Sequence, residues 1–285
     1  MQLDNVKTLR DAVNYGKQFL EDFGIENAQY DATELLLLVM GISRTQYLIN
    51  SMDKIDSGKL AEYAELINKR AEHIPLQHIT GIVNFYGREY KVNANVLIPR
   101  QDTEILVEEV MKLTNSESRV LDMCTGSGCI GITLAKKFPD SNVTGVDISD
   151  KALAVAWKNK CNLDADNIDF IQSDLFAALG ADRRYDIIVS NPPYIPTKVI
   201  EGLQDEVRLH DPMLALDGTE DGLMFYRRIT DKSGDYLKMN GYLCYEIGAE
   251  QAADVSDIMK QAGFKDIVAV SYTHLRAHET DQYLV

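Results

Sequence analysis

The sequence is short of positive charge. Its 285 residues carry 29 lysines and arginines against 44 aspartates and glutamates, a formal net charge of -15. Binding to a nucleic-acid backbone needs clustered lysine and arginine. We therefore predict no direct nucleic-acid partner, although a local basic groove is still compatible with this overall charge.

Paired cysteines, a leader and long apolar runs are also missing. No Cys-x-x-Cys pair is present, and the four cysteines are too few for a disulfide framework. The first residues lack the basic and then apolar pattern of a signal peptide. The longest apolar run, Leu35 to Ile42, is too short to cross a bilayer. These absences predict a cytoplasmic protein with no membrane association and no metal site.

The chain shows three successive patterns. Residues 1–73 have apolar residues at helical spacing, which predicts a small helical bundle that either presents a surface to a macromolecule or serves as a structural cap. Residues 74–98 are rich in β-formers and punctuated by glycines, which predicts a β-hairpin linker. Residues 99–269 mostly alternate strand and helix. This alternation predicts an α/β domain with a mainly parallel sheet covered on both faces.

A glycine-rich loop follows the first strand of the alternating region. Gly126, Gly128 and Gly131 have the G-x-G-x-x-G spacing of dinucleotide-binding loops, a weak signal by itself. Asp122 precedes the loop, where its carboxylate can receive an ammonium group or order the loop. Asp147 ends the second strand, where a carboxylate can take both hydroxyls of a ribose. This pattern suits the amino acid and ribose of S-adenosylmethionine better than it suits a diphosphate.

The third strand leads into a further aspartate, Asp174, with Leu175 beside it. A carboxylate at this point can accept a hydrogen bond from an adenine amino group. Because the carboxyl ends of parallel strands meet at one edge of a sheet, we expect the three aspartates to share one ligand crevice.

The fourth strand runs into Asn191-Pro192-Pro193-Tyr194. The two prolines cannot continue a sheet, and Asn191 is held extended by the proline after it, so we predict a stiff corner. A planar NH2 group could donate to the Asn191 oxygen and to a neighbouring carbonyl while Tyr194 covers its face. Tyr194 could instead only fill the core, and the element could be a simple strand terminator. In a doubly wound sheet this corner faces the glycine loop.

Together these motifs resemble one family, the release factor glutamine methyltransferases (the HemK/PrmC family), across residues 5–269. Members methylate the side-chain nitrogen of the glutamine in the Gly-Gly-Gln motif of peptide chain release factors. The matching stretches are residues 75–81, 96–104, 122–131, 191–195, 211–212, 215–218, 221–223 and 245–248. Two positions depart from the family pattern, since Cys124 stands where glycine is usual and Gln101 where proline is common.

The resemblance implies a Rossmann-like S-adenosylmethionine-dependent methyltransferase domain at 99–269, a substrate-recognition bundle at 1–73 and a hairpin linker at 74–98. It implies a monomer whose partner is a class 1 peptide chain release factor. The implied cofactor contacts are Asp122, Thr125, Gly126, Ser127, Gly128, Asp147, Ile148, Asp174, Leu175 and Asn191. The implied substrate contacts are Asn191, Pro192, Pro193, Tyr194 and Arg100, of which Asn191, Pro192 and Tyr194 are catalytic. Arg100 could also pair with Asp102 or Glu104.

Three other functions fit parts of the pattern. Nucleic-acid methyltransferases that act on adenine N6 or guanine N2 share the Asn-Pro-Pro-Tyr element. An NAD-dependent oxidoreductase would use the glycine loop but leaves that element unexplained. An inactive binding scaffold would follow if the end of the chain were damaged.

The last residues, 270–285, resemble the translation of a sequencing adapter. We predict that they are not native and replace the last strands of the family, and independent amplification of the locus tests this. His274 and His278 could mimic a metal-binding pair, for which we predict no metal.

Overall fold

The structure is a computed structural model that describes residues 5–273 and 280–284, with the backbone alone given for 271–273 and 280–284. The chain divides into two compact units, Met1–Gly81 and Ile82–Val285. Across the described residues, no helix is both long enough and apolar enough to span a membrane.

The first unit is helical. Its helices are α1 (Leu9–Asp22), α2 (Ala28–Met40), α3 (Arg44–Asn50), α4 (Ser57–Ala71) and α5 (Leu76–Thr80). Ser43 and Asp56 cap α3 and α4, as their position before each helix predicts, because their side-chain oxygens accept from orphan backbone N–H groups. Arg70 and Asp31 form a buried ion pair of 2.7 Å between α4 and α2.

The second unit begins with a hairpin of β1 (Ile82–Phe85) and β2 (Arg88–Lys91) and continues as a sheet with helices. The sheet strands are β3 (Arg119–Met123), β4 (Asn142–Asp147), β5 (Ile168–Gln172), β6 (Tyr185–Ser190), β7 (Leu237–Ile247), β8 (Ala269–Thr273) and β9 (Thr280–Leu284). The helices are α6 (Asp102–Leu113), α7 (Cys129–Lys137), α8 (Asp150–Asn162), α9 (Thr197–Ile200), α10 (Asp205–His210), α11 (Met213–Leu216), α12 (Met224–Tyr236) and α13 (Ala252–Gln261).

The sheet has the order β5-β4-β3-β6-β7-β9-β8. Strands β3 to β7 pair in parallel, and β6 returns to the free side of β3, which confirms the doubly wound α/β prediction. Adjacent residues of β3 face opposite layers: Val120 belongs to the apolar cluster that includes α6 and α7, and Leu121 to the one that includes α12 and α13. Burial on both faces explains why β6 reads as a nearly continuous apolar run.

Two parts of the fold were not predicted as they are. The short helices α5, α9, α10 and α11 were not predicted, because elements this brief carry no helical periodicity, and α5 lies inside the predicted hairpin linker at 74–98. Residues 270–273 and 280–284, inside the segment predicted to be non-native, have strand geometry, and β9 pairs antiparallel with β7 and β8. The sheet edge therefore continues past residue 269. His274 and His278 lie outside the described residues.

Candidate functional site

A cavity of about 290 Å³ lies at the carboxyl ends of β3, β4, β5 and β6. Its wall includes these residues predicted from the sequence: Arg100, Thr125, Gly126, Ser127, Asp147, Ile148, Asp174, Leu175, Asn191 and Pro193. Asp122, Gly128, Pro192 and Tyr194 lie outside the wall. The topology therefore brings the ends of all four strands, β3 to β6, and most of the predicted residues to one place.

The glycine loop turns from β3 into α7 through left-handed backbone. Gly126 and Gly128 have φ angles of 55° and 81°, and the Gly128 N–H donates to the Thr125 carbonyl at 2.8 Å. A Cβ at Gly126 would meet no atom within 4 Å, so glycine leaves room here at the cavity wall. A Cβ at Gly128 would lie 2.9 Å from Ile132 Cδ1, so this glycine serves helix packing.

Cys124 lies in the same turn and lines the cavity. Its φ of 61° is left-handed, a conformation that is uncommon outside glycine. Leu175, beside Asp174, also has a left-handed φ of 50°. Residues with strained backbone of this kind are found mostly at functional sites, where the surrounding structure holds them in place.

Asp122 lies under the loop and has no exposed surface. Its Oδ2 accepts from the Thr125 hydroxyl and, at 2.9 Å, from the Gly131 N–H. Burial raises the pKa of Asp122 to about 7. Of the two roles considered from the sequence, ordering the loop is the one that fits this burial. Asp122 does not line the cavity, and its contact with the cofactor stays a prediction.

Asp147 lines the cavity and tethers the loop to the end of β4. Its Oδ2 accepts from the Gly126 N–H and its Oδ1 from the Ser149 N–H, both at 2.9 Å. Burial raises the pKa of Asp147, and these N–H groups oppose the shift because they stabilise the carboxylate. A carboxylate has about four lone-pair positions, so its oxygens can still accept from a ligand's hydroxyls.

Asp174 is held by an arginine that the sequence analysis did not identify. Nη2 of Arg228, on α12, lies 2.9 Å from each carboxylate oxygen of Asp174. Both residues line the cavity, and each side chain is roughly half exposed. The sequence shows only that an arginine lies on the helix after the predicted corner. It does not show that this arginine pairs with Asp174.

The corner at the end of β6 is fixed to its neighbours. The Ser190 hydroxyl donates to the Met123 carbonyl at 2.7 Å, and Asn191 Nδ2 donates to Thr103 Oγ1 at 3.4 Å. Because Nδ2 is engaged by Thr103, the Asn191 Oδ1 is left to accept. Pro192 and Pro193 are buried, whereas Tyr194 is half-buried and packs against the apolar cluster that includes α12 and α13.

Arg100 pairs across the sequence with Asp211. Its Nη2 lies 2.9 Å from Asp211 Oδ2, and its side chain is 43% exposed while that of Asp211 is 1% exposed. Burial raises the pKa of Asp211, and the nearby Arg100 opposes this shift. The sequence suggested Asp102 or Glu104 as partners because only neighbours in the chain are visible there.

Asn159 is a further residue that the sequence analysis missed. Its Nδ2 donates to the Ser127 carbonyl at 2.9 Å and to the Lys91 carbonyl at 3.0 Å, and its Oδ1 accepts from the Lys91 N–H at 2.7 Å. One buried amide thus joins α8 to the glycine loop and to β2. A polar residue at helical spacing from Ala152 and Ala156 was the available signal.

Chemically, the cavity offers carboxylates, backbone groups and an amide corner. In the described residues, no group of three or more His, Cys, Asp and Glu side chains could hold a metal ion. Asp147 and Asp174 suit the hydroxyl and amino donors of a nucleoside, and the loop provides close backbone approach without the lysine that often accompanies a triphosphate. These donors and acceptors fit S-adenosylmethionine.

Solved structures share this fold. A methyltransferase from Pyrococcus furiosus aligns with a TM-score of 0.52 at 14% identity, covering 76% of this chain and 96% of that one. The hMettl16 catalytic domain, in complex with MAT2A 3'UTR hairpin 6, aligns with a TM-score of 0.56 at 16% identity, covering 78% and 90%. At such identities the likeness concerns the fold alone.

Sequence comparison is more specific. Residues 11–81 match the family model described as the PrmC N-terminal domain, and residues 100–207 match the methyltransferase small domain. A release factor glutamine methyltransferase from Geobacter sulfurreducens is 40% identical over 259 residues, covering 91% of this chain and 90% of its own. One from Clostridium acetobutylicum is 38% identical over 263 residues, covering 91% and 92%. The chain therefore belongs to the release factor glutamine methyltransferase family, and its cofactor is S-adenosylmethionine.

Proposed function

We propose that this enzyme methylates the side-chain N5 of the glutamine in the Gly-Gly-Gln motif of class 1 peptide chain release factors. The observation that carries the proposal is the Asn191 corner, which stands in the wall of the same cavity as the glycine loop. Relatives with about 40% identity are named for this substrate class. The enzyme acts as a cytoplasmic monomer, and residues 1–73 recognise the release factor.

The cofactor is held by the loop and by two strand ends. Thr125, Gly126 and Ser127 approach its amino-acid part, Asp147 takes the ribose hydroxyls, and Asp174 accepts from the adenine amino group. Ile148 and Leu175 provide apolar contact beside the nucleoside, and Asn191 lies at the reactive end. Asp122 and Gly128 support the loop from behind. When bound, S-adenosylmethionine supplies an electrophilic methyl group on a sulfonium.

The substrate amide is held by acceptors at the corner. A glutamine nitrogen is a poor nucleophile because its lone pair is delocalised into the carbonyl. The Asn191 Oδ1 and the Pro192 carbonyl accept its two N–H groups, orient the nitrogen and favour localisation of the lone pair as positive charge develops. Positioning of this kind can recover up to roughly 7–11 kcal/mol of barrier. The proton then passes to solvent.

Three further residues were predicted to contact the substrate. Tyr194 packs on the apolar cluster below the corner, so we assign it to support in place of the clamp considered from the sequence. Pro193 lines the cavity and stiffens the backbone. Arg100, held by Asp211 at the cavity wall, contacts the backbone of the substrate loop with its exposed edge.

Mass spectrometry of a co-expressed release factor tests the function. We expect one added methyl group on the glutamine of the Gly-Gly-Gln peptide, and none when the enzyme is omitted. Parallel incubations of labelled S-adenosylmethionine with RNA and DNA serve as the comparison. Label in nucleic acid, with an unmodified release factor, would instead favour the amino-group methyltransferase of nucleic acids.

Replacement of Asn191 tests the corner. We expect Asn191→Ala to lower methyl transfer by about 10²-fold or more, because an oriented acceptor at the reacting group is lost. Calorimetry should show nearly unchanged cofactor affinity, since the loop and Asp147 remain. Asn167→Ala is the control, because it removes another asparagine amide whose Nδ2 donates to the carbonyls of Ala135, Phe138 and Ser141, away from the cavity. Equal losses of transfer and affinity in the Asn191 variant would mean that Asn191 is structural.

A further inference from the structure

Three short stretches of the family pattern remain unexplained by the cofactor site. Residues 215–218, 221–223 and 245–248 are separated from the glycine loop by more than 80 residues of sequence. The structure brings Gly218, Gly222 and Gly248 around one residue, Tyr194. The three stretches therefore meet at the Tyr194 end of the Asn-Pro-Pro-Tyr corner.

Two of these glycines are required by direct contact with the Tyr194 backbone. A Cβ at Gly222 would lie 2.3 Å from the Tyr194 carbonyl oxygen, and a Cβ at Gly218 would lie 2.8 Å from the Tyr194 carbonyl carbon and Cα. These neighbours are backbone atoms, which cannot rotate away as a side chain can. Only a residue without a Cβ therefore allows the two segments to approach the corner this closely.

Gln251, at the start of α13, completes the enclosure with its side-chain amide. Its Nε2 donates to the Tyr194 carbonyl at 2.9 Å and approaches the Gly222 carbonyl at 3.4 Å. Its Oε1 accepts from the Gly248 N–H at 3.0 Å. One planar amide thus connects the corner with the segments after α11 and after β7.

The next residue of the corner is paired as well. The Ile195 N–H donates to the Leu216 carbonyl at 3.0 Å, and the Gly218 N–H donates to the Ile195 carbonyl at 2.9 Å. Both the N–H and the carbonyl of Ile195 are therefore hydrogen-bonded to the segment that precedes α12.

The arrangement has a mechanical consequence. Pro192 and Pro193 have restricted φ angles, so few rotations remain between Asn191 and Tyr194. Residues 191–194 are fixed at their first residue by the hydrogen bond between Asn191 and Thr103. They are fixed at their last residue by the hydrogen bond from Gln251 to the Tyr194 carbonyl. A displacement of Tyr194 must therefore change the orientation of the Pro192 carbonyl and of the Asn191 side chain.

We propose that Gln251 is a positioning residue for methyl transfer, which it serves by holding the Tyr194 carbonyl and thereby the acceptor geometry of the corner. The proposal rests on the function proposed above. Gln251 touches neither substrate nor cofactor, and it does not line the cavity. Its replacement should therefore affect kcat and leave the affinity for S-adenosylmethionine unchanged.

Gln251→Glu separates the hydrogen bond to the Tyr194 carbonyl from the one that Gln251 accepts from Gly248. A glutamate oxygen can still accept from the Gly248 N–H, but it cannot donate to the Tyr194 carbonyl when ionised. We expect kcat for release-factor methylation to fall between about tenfold and a hundredfold, because small displacements of reacting groups are costly. The dissociation constant for S-adenosylmethionine, measured by calorimetry, should stay within about twofold, since binding differences of that size are below 0.5 kcal/mol.

Hydrogen exchange provides a readout that does not depend on the substrate. In Gln251→Glu the amides of Ile195 and Gly218 should exchange faster than in the wild type, while the Gly248 amide stays protected. Methionine has a similar length but makes neither hydrogen bond, so Gln251→Met should speed exchange at all three amides. This variant replaces Gln251→Glu in the experiment if the glutamate variant fails to fold. Asn167→Ala controls for general loss of stability and should change neither kcat nor exchange at Ile195.

The outcomes are distinct. Wild-type kcat in a folded Gln251→Glu protein, or unchanged exchange at Ile195 and Gly218, would overturn the positioning role. A wild-type enzyme that modifies no release factor would overturn the proposed function alone, because the exchange experiment on the corner needs no substrate.

Discussion

At the residue scale, Asp122 carries a carboxyl group under the cofactor loop, out of reach of water. Desolvation raises its pKa to about 7, although the Thr125 hydroxyl and the Gly131 N–H favour the charged form. An ordinary aspartate in the unfolded chain has a pKa near 3.8. Between these two values the folded protein keeps a proton on Asp122 that the unfolded chain has released. Stability from this group is therefore lost as pH rises through about 7.

Asp122→Asn should remove that dependence. The variant amide oxygen can still accept from Thr125 and Gly131, but the group cannot ionise. We expect the stability of the variant relative to the wild type to rise from pH 5 to pH 8, by an amount on the order of a few kcal/mol. Urea unfolding at both pH values measures it. Asp140→Asn, at an exposed position, is the control, and an equal difference at both pH values would contradict the prediction.

At the scale of elements, the site depends on connections between segments that are distant in the chain. Asn159 joins α8, β2 and the glycine loop through its amide. Gln251 joins α13 to the corner after β6. In both cases a side-chain amide satisfies backbone groups that no regular element pairs. Loops of the site thereby acquire fixed positions without secondary structure of their own.

Asn159→Asp tests the connection to the loop. The substitution keeps the shape but places a carboxylate against the Ser127 and Lys91 carbonyls, with no N–H to donate. We expect a stability loss of about 1–3 kcal/mol and a rise of about tenfold in the dissociation constant for S-adenosylmethionine, equivalent to roughly 1.4 kcal/mol. Thermal unfolding and calorimetry measure the two effects.

Asn167→Asp is the matched control for that experiment. It breaks a similar set of amide-to-carbonyl bonds in the turn between α7 and β4. A comparable loss of stability with unchanged cofactor affinity is the expected result. If both variants weakened cofactor binding equally, the effect of Asn159 would be general destabilisation.

At the scale of the whole molecule, the cavity belongs to only one of the two compact units, Ile82–Val285. Binding of S-adenosylmethionine should therefore stabilise that unit and leave the unfolding of Met1–Gly81 unchanged. At a concentration of 100 times Kd, one site adds about 2.7 kcal/mol, which raises Tm by roughly 5–10 °C for about 200 residues.

Calorimetric scans with and without cofactor test this division. One transition should shift and a second, smaller one should not. Asp147→Ala is the control, because it removes a loop tether and the proposed ribose acceptor while the N-terminal unit is untouched. A common shift of both transitions would show that the two units unfold together.

Local patterns in the chain were enough for the α/β class, the parallel order of β3 to β6 and the positions of the loop and the corner. Buried strands read as apolar runs, glycines as a tight turn, and consecutive prolines as a strand end. Each of these properties depends on neighbouring residues, so the sequence contains them directly. The eight stretches that match the family pattern together also indicated the family, which the comparisons confirm.

Other features depend on contacts between distant residues, and only the tertiary structure decided them. Asp122 could receive an ammonium group or order the loop until its complete burial favoured the second role. Arg100 takes Asp211 as its partner, and Asp174 takes Arg228, across 111 and 54 residues of chain. A half-exposed charged side chain can pair with many oppositely charged side chains, and the spacing of residues in the sequence does not indicate which one it takes. The sequence alone determined which chemical groups this protein brings to its sheet edge, whereas packing decided which of them face the cavity and which support it from behind.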